Sequence, residues 1–243
     1  MLVKNDLGTK VLNKNSSDVK KIHSLIINNG KLGQLHTKTQ IIDPIINSLT
    51  TKLINKNGRE LGSETFILKS DNSSYGTHIE VAPAYRQKGY HLGEILRLSS
   101  IIMILENKIK SFEIFSLPEA IFFHKKYKFD PNISNETTMK FFLADTIDNC
   151  QKKKNFQDIY KEANYILNSS SKQKDKNNSP LDLINKTNEL MKKYFDKVLN
   201  KKGEYKHHHF RFGMQMQLSQ ENILKNKDFF NKLFKKHKID YVI

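Results

Sequence analysis

Near the end of the chain, Phe210, Phe212, Met214, Met216 and Leu218 alternate with Arg211, Gly213, Gln215 and Gln217. Alternation is the period of a strand with one face buried, and a strand cannot bury a face or pair its edges alone. The sheet it joins therefore has to begin earlier. The upstream segments that share its period lie between Thr51 and Val81, and the stretch from about 130 to 205 is mainly of helical period instead. A chain that leaves a sheet, runs through helices and comes back reads as an α/β (α+β) fold with a helical insertion before its last strand.

The same reasoning places the other elements. Residues 15–50 read as two helices. Ser16 or Ser17 caps the first, with Val19, Ile22, Leu25 and Ile26 at helical spacing, and the second starts near Thr37 and carries Ile41, Ile42, Ile45, Ile46 and Leu49. From Thr51 to Val81, three strands are joined by turns at Asn57-Gly58 and Asp71–Ser74. A helix from Leu92 to Lys108 and a strand from Ser111 to Ser116 follow. Ser116, Pro118 and Glu119 have the spacing of a capped helix start, and that helix reaches about Lys128. Residues 130–205 are rich in Lys and Asn and mainly helical. Within them, residues 168–180, NSSSKQKDKNNSP, hold no apolar residue and read as a flexible linker. Ser219 caps a last amphipathic helix. The domain reading is a core over 1–130, a helical insertion over 131–204, and a final strand and helix over 205–243.

Composition excludes several classes. Cys150 stands alone, which rules out an intrachain disulfide and a cysteine zinc cluster and fits a reducing compartment. The opening MLVKNDLGTK lacks the apolar core of a signal peptide, and the most apolar stretch, Leu92–Leu105, is broken by Glu94 and Arg97, so a cytoplasmic protein off the membrane is expected. The net charge is +16, but the excess is lysine spread along the chain. That is a compositional habit more than a focused polyanion surface, and it makes a nucleic-acid or ribosomal partner the less favoured reading. His207 and His209 share a strand face without a Cys or carboxylate near them in sequence, so no metal is expected.

Chemistry concentrates in Tyr75–Gly93, YGTHIEVAPAYRQKGYHLG: a strand, a short loop with Pro83, a basic pair, a glycine and the start of an apolar helix. Unpaired amides at a helix N-terminus, the helix dipole and a glycine that admits close approach together make a site for a pyrophosphate. Arg86 and Lys88, with Arg97 a turn or more beyond, are the cations in line to meet it.

Val81-x-Pro83-x-Tyr85-Arg86-x-x-Gly89 resembles the loop of the GNAT superfamily of acyl-CoA-dependent N-acetyltransferases, V-x-P-x-x-[QR]-x-x-G-x-[GA]. Ala120-x-x-Phe123-His124-x-x-x-x-Phe129 is similar to the family's A-x-x-[LF]-Y-x-x-x-G-F helix, one helix and one strand downstream. The resemblance covers roughly residues 15–130. It departs at four positions: His91 stands where the loop's second glycine or alanine falls, His124 where the tyrosine falls, Lys128 where the glycine before the final Phe falls, and Leu117 where an Asn often stands three residues before the Ala.

The resemblance implies a mixed, mostly antiparallel central sheet flanked by helices, and transfer of an acetyl group from acetyl-CoA to a primary amine of a small molecule or protein. The pantetheine arm would pair with backbone near Ile79–Val81. The pyrophosphate would lie on amides of Gln87, Lys88, Gly89, Tyr90, His91 and Leu92, with Arg86, Gly93 and Phe123 completing the cofactor set. His124 would return a proton to the departing thiolate; Glu80, with His78 second, would take the proton from the amine. A GNAT fold that binds acyl-CoA or a partner without catalysis is the alternative that these departures allow.

Overall fold

The computed structural model describes residues 24–43, 45, 47–171, 179–201 and 204–243. Its strands follow the order β1-β2-β3-β4-β5-β6-β8-β7 in one eight-stranded sheet. The chain divides into two compact units, Met1–Ile114 with Leu218–Ile243, and Phe115–Gln217.

In the first unit, β1 (Ile26–Asn29), β2 (Gly33–Asp43), β3 (Ser48–Asn55), β4 (Glu60–Leu68) and β5 (Ser73–Val81) form an antiparallel meander. Strand β6 (Ser111–Ser116) then pairs with β5 in parallel. The intervening helix α1 (Leu92–Glu106) packs on β3, β4 and β5. Ile95, Leu96, Leu98, Ile101 and Ile102 of α1 are buried, as are Leu53 of β3, Phe66 of β4 and Phe112 of β6. Because α1 is buried almost all round, its polar residues need partners inside the protein. Arg97 and Ser100 find one in Glu64 of β4: Arg97 Nη1 donates to Glu64 Oε1 at 2.6 Å and Ser100 Oγ to Glu64 Oε2. Burial pushes the Glu64 carboxyl up, and Arg97 and Ser100 pull it back. Arg97 is 1% exposed and lies over the Phe112 ring, so it belongs to the core and not to a phosphate site.

The helix expected from Thr37 is a hairpin instead. Thr37, Thr39 and Ile41 follow the period of two as well as the isoleucines follow the period of four, and β-branched residues favour the strand. Thr39 and Thr51 hydroxyls bond across β2 and β3 at 2.8 Å, and Asp43 Oδ1 accepts from the Ile45 amide in the turn. Ile42 and Ile45, assigned to a buried stripe, are exposed. The helix expected from Ser16 lies outside the described residues up to His23, and of its last two apolar residues Leu25 falls just before β1 and Ile26 begins it.

The second unit holds helices α2 (Ile121–Lys126), α3 (Glu136–Cys150), α4 (Gln157–Ser171) and α5 (Pro180–Leu199), with the short β7 (Asp130–Pro131) paired to β8 (Met214–Ser219). Its core is aromatic: Phe122, Phe142, Phe156, Tyr194, Phe195 and Phe210 are all buried. The strand expected to start before Phe210 starts at Met214. Phe212 is exposed and stacks on Phe141 at 4.7 Å, so it is not a core residue. Gly213, just before the strand, leaves no room for a side chain: a Cβ there would lie 2.6 Å from the Phe115 ring and from the Ser116 carbonyl oxygen. Ser116 does not cap the next helix: its hydroxyl donates to the Leu117 carbonyl, and a 3-10 turn, Pro118–Ala120, leads into α2. The linker expected over 168–180 lies largely outside the described residues; α4 extends to Ser171, and Ser179 and Asp182 form a capping box at the start of α5.

The last helix is two, α6 (Gln220–Lys225), capped as expected by Ser219, and α7 (Lys227–Lys236). Among the described residues no helix is long and apolar enough to cross a membrane, and no group of three or more His, Cys, Asp or Glu is placed to hold a metal ion.

Candidate functional site

The site is built from the end of β5 and the loop that follows it. Strand β5 pairs with β6 only over Ser73–Gly76, and from Thr77 to Val81 its recorded partner is β4 alone. At that same step the β4–β5 register jumps, Thr65 facing His78 and Phe66 facing Gly76, so Thr77 is the extra residue of a bulge. A bulge bends its strand and increases its twist, and this one sits where the parallel pairing stops. The backbone of Thr77–Val81 thereby keeps an edge that an extended ligand carrying amides can pair with.

Ile79 faces Glu64 across the ladder, and Val81 faces Gly62, so both lie on the face covered by α1. His78 and Glu80 occupy the other face, where His78 Nε2 and Glu80 Oε2 are 3.0 Å apart. Arg86 closes the arrangement: its Nη2 donates to Glu80 Oε1 at 2.7 Å and its Nε to the Val81 carbonyl at 2.6 Å. The hydrogen bond from His78, and then the charge of Arg86, hold the Glu80 carboxyl below the usual carboxylate range. Arg86 thus pins the loop to the strand.

The loop itself is shaped for an anion. After the 3-10 turn Pro83–Tyr85, Gln87, Gly89 and His91 lie at φ of 57°, 66° and 57°, while Lys88 and Tyr90 between them do not have positive φ. Alternation of this kind curls successive N–H groups towards one concavity, a backbone nest for anions. The nest opens directly into α1, whose N-cap is His91, a residue that gives the helix no side-chain cap. The N–H groups and the helix dipole therefore act together. Leu92 is buried, so its contribution to such a site is its amide; Gly93 is half-buried, and Lys88 is exposed on the rim.

Several supporting residues escaped the sequence reading. Asn29 Nδ2 donates to the Tyr90 carbonyl at 3.2 Å, which ties the loop to the β1–β2 turn. Lys31 of that turn sits over the Tyr90 ring at 5.9 Å and within 3.3 Å of where a Cβ on Gly89 would be. The pattern of residues 15–50 reads as two helices, which offers no hairpin turn to bring Lys31 here. Beneath the loop, Glu94 is 5% exposed and lies against three nitrogen groups: His91 Nδ1 at 3.2 Å, Lys236 Nζ at 3.0 Å and His237 Nε2 at 3.4 Å. Burial alone would raise its carboxyl, yet His237 and Lys236 bring it down to about 2. The carboxylate that faces an anion-binding loop is thus neutralised by α7.

In the second unit His124 is buried on α2, with its ring 5.1 Å from that of Phe123 and 5.6 Å from that of Phe129. Phe123 is partly exposed. Cys150 is buried, which pushes its thiol up to about 12 and removes it as a nucleophile.

No protein-family model and no curated protein sequence matches the chain. Solved structures do. A GNAT-family acetyltransferase from Staphylococcus aureus aligns at 19% identity and a TM-score of 0.33, over 36% of this chain and 56% of its own. The PaiA N-acetyltransferase of Thermoplasma acidophilum, solved with coenzyme A, aligns at 15% identity and 0.31, over 37% of this chain and 55% of its own. The similarity is to acetyltransferases. A nourseothricin acetyltransferase aligns over 54% of this chain and 83% of its own, at 14% identity and 0.32. The chain spans little more than half the length of the first two, and at these scores the likeness bears no weight on activity. A functional reading has to stand on the residues of this chain.

Proposed function

We propose that the chain is an acyl-CoA-dependent N-acetyltransferase acting on a primary amine. The observation that carries this reading is a coincidence of three features in seventeen residues. The parallel pairing stops at Gly76, the bulge falls on Thr77, and the nest over Gln87–His91 opens onto α1. A one-sided strand end followed by an anion nest suits a ligand with an amide-bearing arm and a pyrophosphate, which is the architecture of coenzyme A. The GNAT-like motifs at Val81–Gly89 and Ala120–Phe129 point to the same ligand.

In this reading the pantetheine amides pair with Ile79–Val81, and the pyrophosphate rests on the amides of Gln87–Leu92 with Lys88 and Lys31 as nearby cations. Arg86 sets the loop's position through Glu80 and the Val81 carbonyl. The neutral amine nitrogen attacks the thioester carbon; the N–C bond forms, the C–S bond breaks, one proton leaves that nitrogen and one reaches sulfur, the ammonium form having first given up a proton to solvent. Alignment of the two reactants supplies much of the acceleration. Glu80, already bonded to His78 and Arg86, is a weak base. It suits orienting His78, whose Nε2 it holds, so that Nδ1 receives the amine proton. His124, in the motif's tyrosine position, is assigned the return of the proton to sulfur. The chain would carry out this transfer in a reducing, cytoplasmic compartment.

Calorimetric titration with acetyl-CoA and a thiol-release assay over a panel of amines test the proposal. Binding in the micromolar range and release of free CoA are expected. Absence of binding at millimolar acetyl-CoA overturns it. His78→Gln and His124→Phe should each retain acetyl-CoA affinity while turnover falls by about 10²–10⁴.

A further inference from the structure

Glu94 is the third residue of α1, a position from which a carboxylate ordinarily bends back to bond the N-cap amide of its own helix. Here it does not. Lys236 Nζ donates to both of its oxygens, at 3.2 and 3.0 Å, and His237 Nε2 lies 3.4 Å from Oε2, so the carboxylate is turned towards the end of α7. Among the described residues, no carbonyl and no side chain accepts from the amides of His91, Leu92, Gly93 or Glu94. Those amides stay open to a ligand.

His237 is the unusual member of this group. It is 8% exposed, and its buried Nε2 makes no hydrogen bond although the carboxylate stands beside it. The His91 ring meets the His237 ring edge-on at 5.8 Å, with its own Nδ1 3.2 Å from the same Glu94 oxygen. Two imidazoles, one buried and one exposed, thus face one oxygen beneath the loop. Resting on the acyl-CoA reading, we propose that His237 is a positioning residue for the loop, acting through Glu94, and that His237 and His91 take up a proton when the pyrophosphate of acetyl-CoA binds.

The chemistry of the group favours this. A neutral imidazole leaves a buried nitrogen unsatisfied at His237, whereas a protonated one donates to Glu94 in a charge-assisted bond. Burial opposes that charge, and in the free protein Lys236 already balances the carboxylate. A pyrophosphate resting on the first amides of α1 adds negative charge next to both rings, which favours the charged imidazole. Glu94 does not compete for the proton: held down to about 2 against its burial by His237 and Lys236, it stays ionised throughout the range in which imidazoles titrate. Of the other charged groups at the loop, Arg86, Lys88 and Lys31 are of types that keep their charge in that range. His78, bonded to Glu80, is of the type that does not, and the test has to hold its contribution constant.

Acetyl-CoA is titrated into the full chain by calorimetry at pH 6, 7 and 8, in buffers of different ionisation enthalpy so that the protons taken up are counted. Titration of acetyl-CoA itself and of His78 is common to the parent and to His237→Gln, so the difference between the two isolates His237. The parent should take up more protons than His237→Gln, and the ratio of their association constants should be at least about threefold larger at pH 6 than at pH 8, the sense that proton uptake dictates. His91→Gln, at an exposed side chain, should differ from the parent in the same direction and covers the case in which His237→Gln fails to fold. A merely structural role weakens binding by one factor at every pH. A ratio that does not change between pH 6 and pH 8, or variants that take up as many protons as the parent, overturns the proposal and leaves the acyl-CoA reading standing. Absence of acetyl-CoA binding by the parent at every pH overturns both.

Discussion

Arg97 and Glu64 form a buried ion pair in the first unit. Both are at most 1% exposed, and α1 is joined to β4 through them as well as through apolar contacts. Removing one partner leaves the other buried and charged, which costs about 3–5 kcal/mol, whereas replacing both by apolar residues of similar volume is often neutral. Arg97→Met should therefore lose most of that amount in urea unfolding, and Arg97→Met with Glu64→Leu should recover most of it. If the double variant is as unstable as the single, the pair does more than neutralise itself. Sequence gave no means to see this. Arg97 lies one helical turn after the anion loop and looks like a phosphate ligand; only the α1 rotation and the β4 register reveal that it points at Glu64. Lys31 illustrates the reverse case, a residue brought to the loop by a hairpin that its own sequence disguised as a helix.

At the scale of elements, three helices end in the same unusual way. Lys108, Lys128 and Lys238 have φ of 54°, 67° and 55°, each just past the end of α1, α2 or α7. In each case the next residue's amide reaches back five positions, Ile109 to Ile104, Phe129 to His124 and Ile239 to Phe234, while the lysine amide reaches back three. This is the Schellman motif, which glycine normally completes. A lysine-rich chain has used lysine, and that is why helix ends could not be read from glycines. It also accounts for Lys128 at the motif's glycine position. A left-handed L residue costs about 1–2 kcal/mol, part of which glycine gives back in chain entropy. Lys108→Gly, Lys128→Gly and Lys238→Gly should each stabilise by about 0.5–1 kcal/mol in chemical denaturation. Gln151→Gly, at the right-handed end of α3, should destabilise. A uniform response at all four positions would refute the left-handed assignment. Elements with strong local chemistry were legible: Asn57-Gly58 placed the β3–β4 turn, the break in polarity placed α1, and Ser219 placed α6. Weakly signalled ones were not. The two-residue β7 carries no period at all, and the alternation that announces β8 runs on through Phe210 and Phe212, which pack by tertiary contact and not by pairing.

For the whole molecule, charge and acid sensitivity are linked. The net charge of +16 rises to +25 once the nine histidines are protonated, so acidification adds self-repulsion to whatever individual carboxylates lose. The largest downward carboxylate shift is that of Glu94, about 2 in the folded chain against 4.5 ordinarily, with Glu80, Asp71, Asp158 and Asp182 shifted in the same direction. A carboxyl depressed by folding contributes stability that is complete above its unfolded pKa and is lost as pH falls through the folded one. Glu64, raised by burial, has the opposite sign and softens the fall. The urea midpoint should therefore decline steeply between about pH 4.5 and pH 2, and added salt should lessen the part due to repulsion. Glu94→Gln separates the two causes. It should be less stable than the parent at pH 7, because Lys236 loses its counter-charge and His237 the carboxylate beside it, and should lose less on going from pH 4.5 to pH 2, so the two curves converge. Curves that stay parallel across that range would show that Glu94 does not set the acid limit. Affinity for acetyl-CoA at pH 7 should also change in this variant, because the same carboxylate lies under the anion loop and its removal leaves Lys236 without its counter-charge beside it.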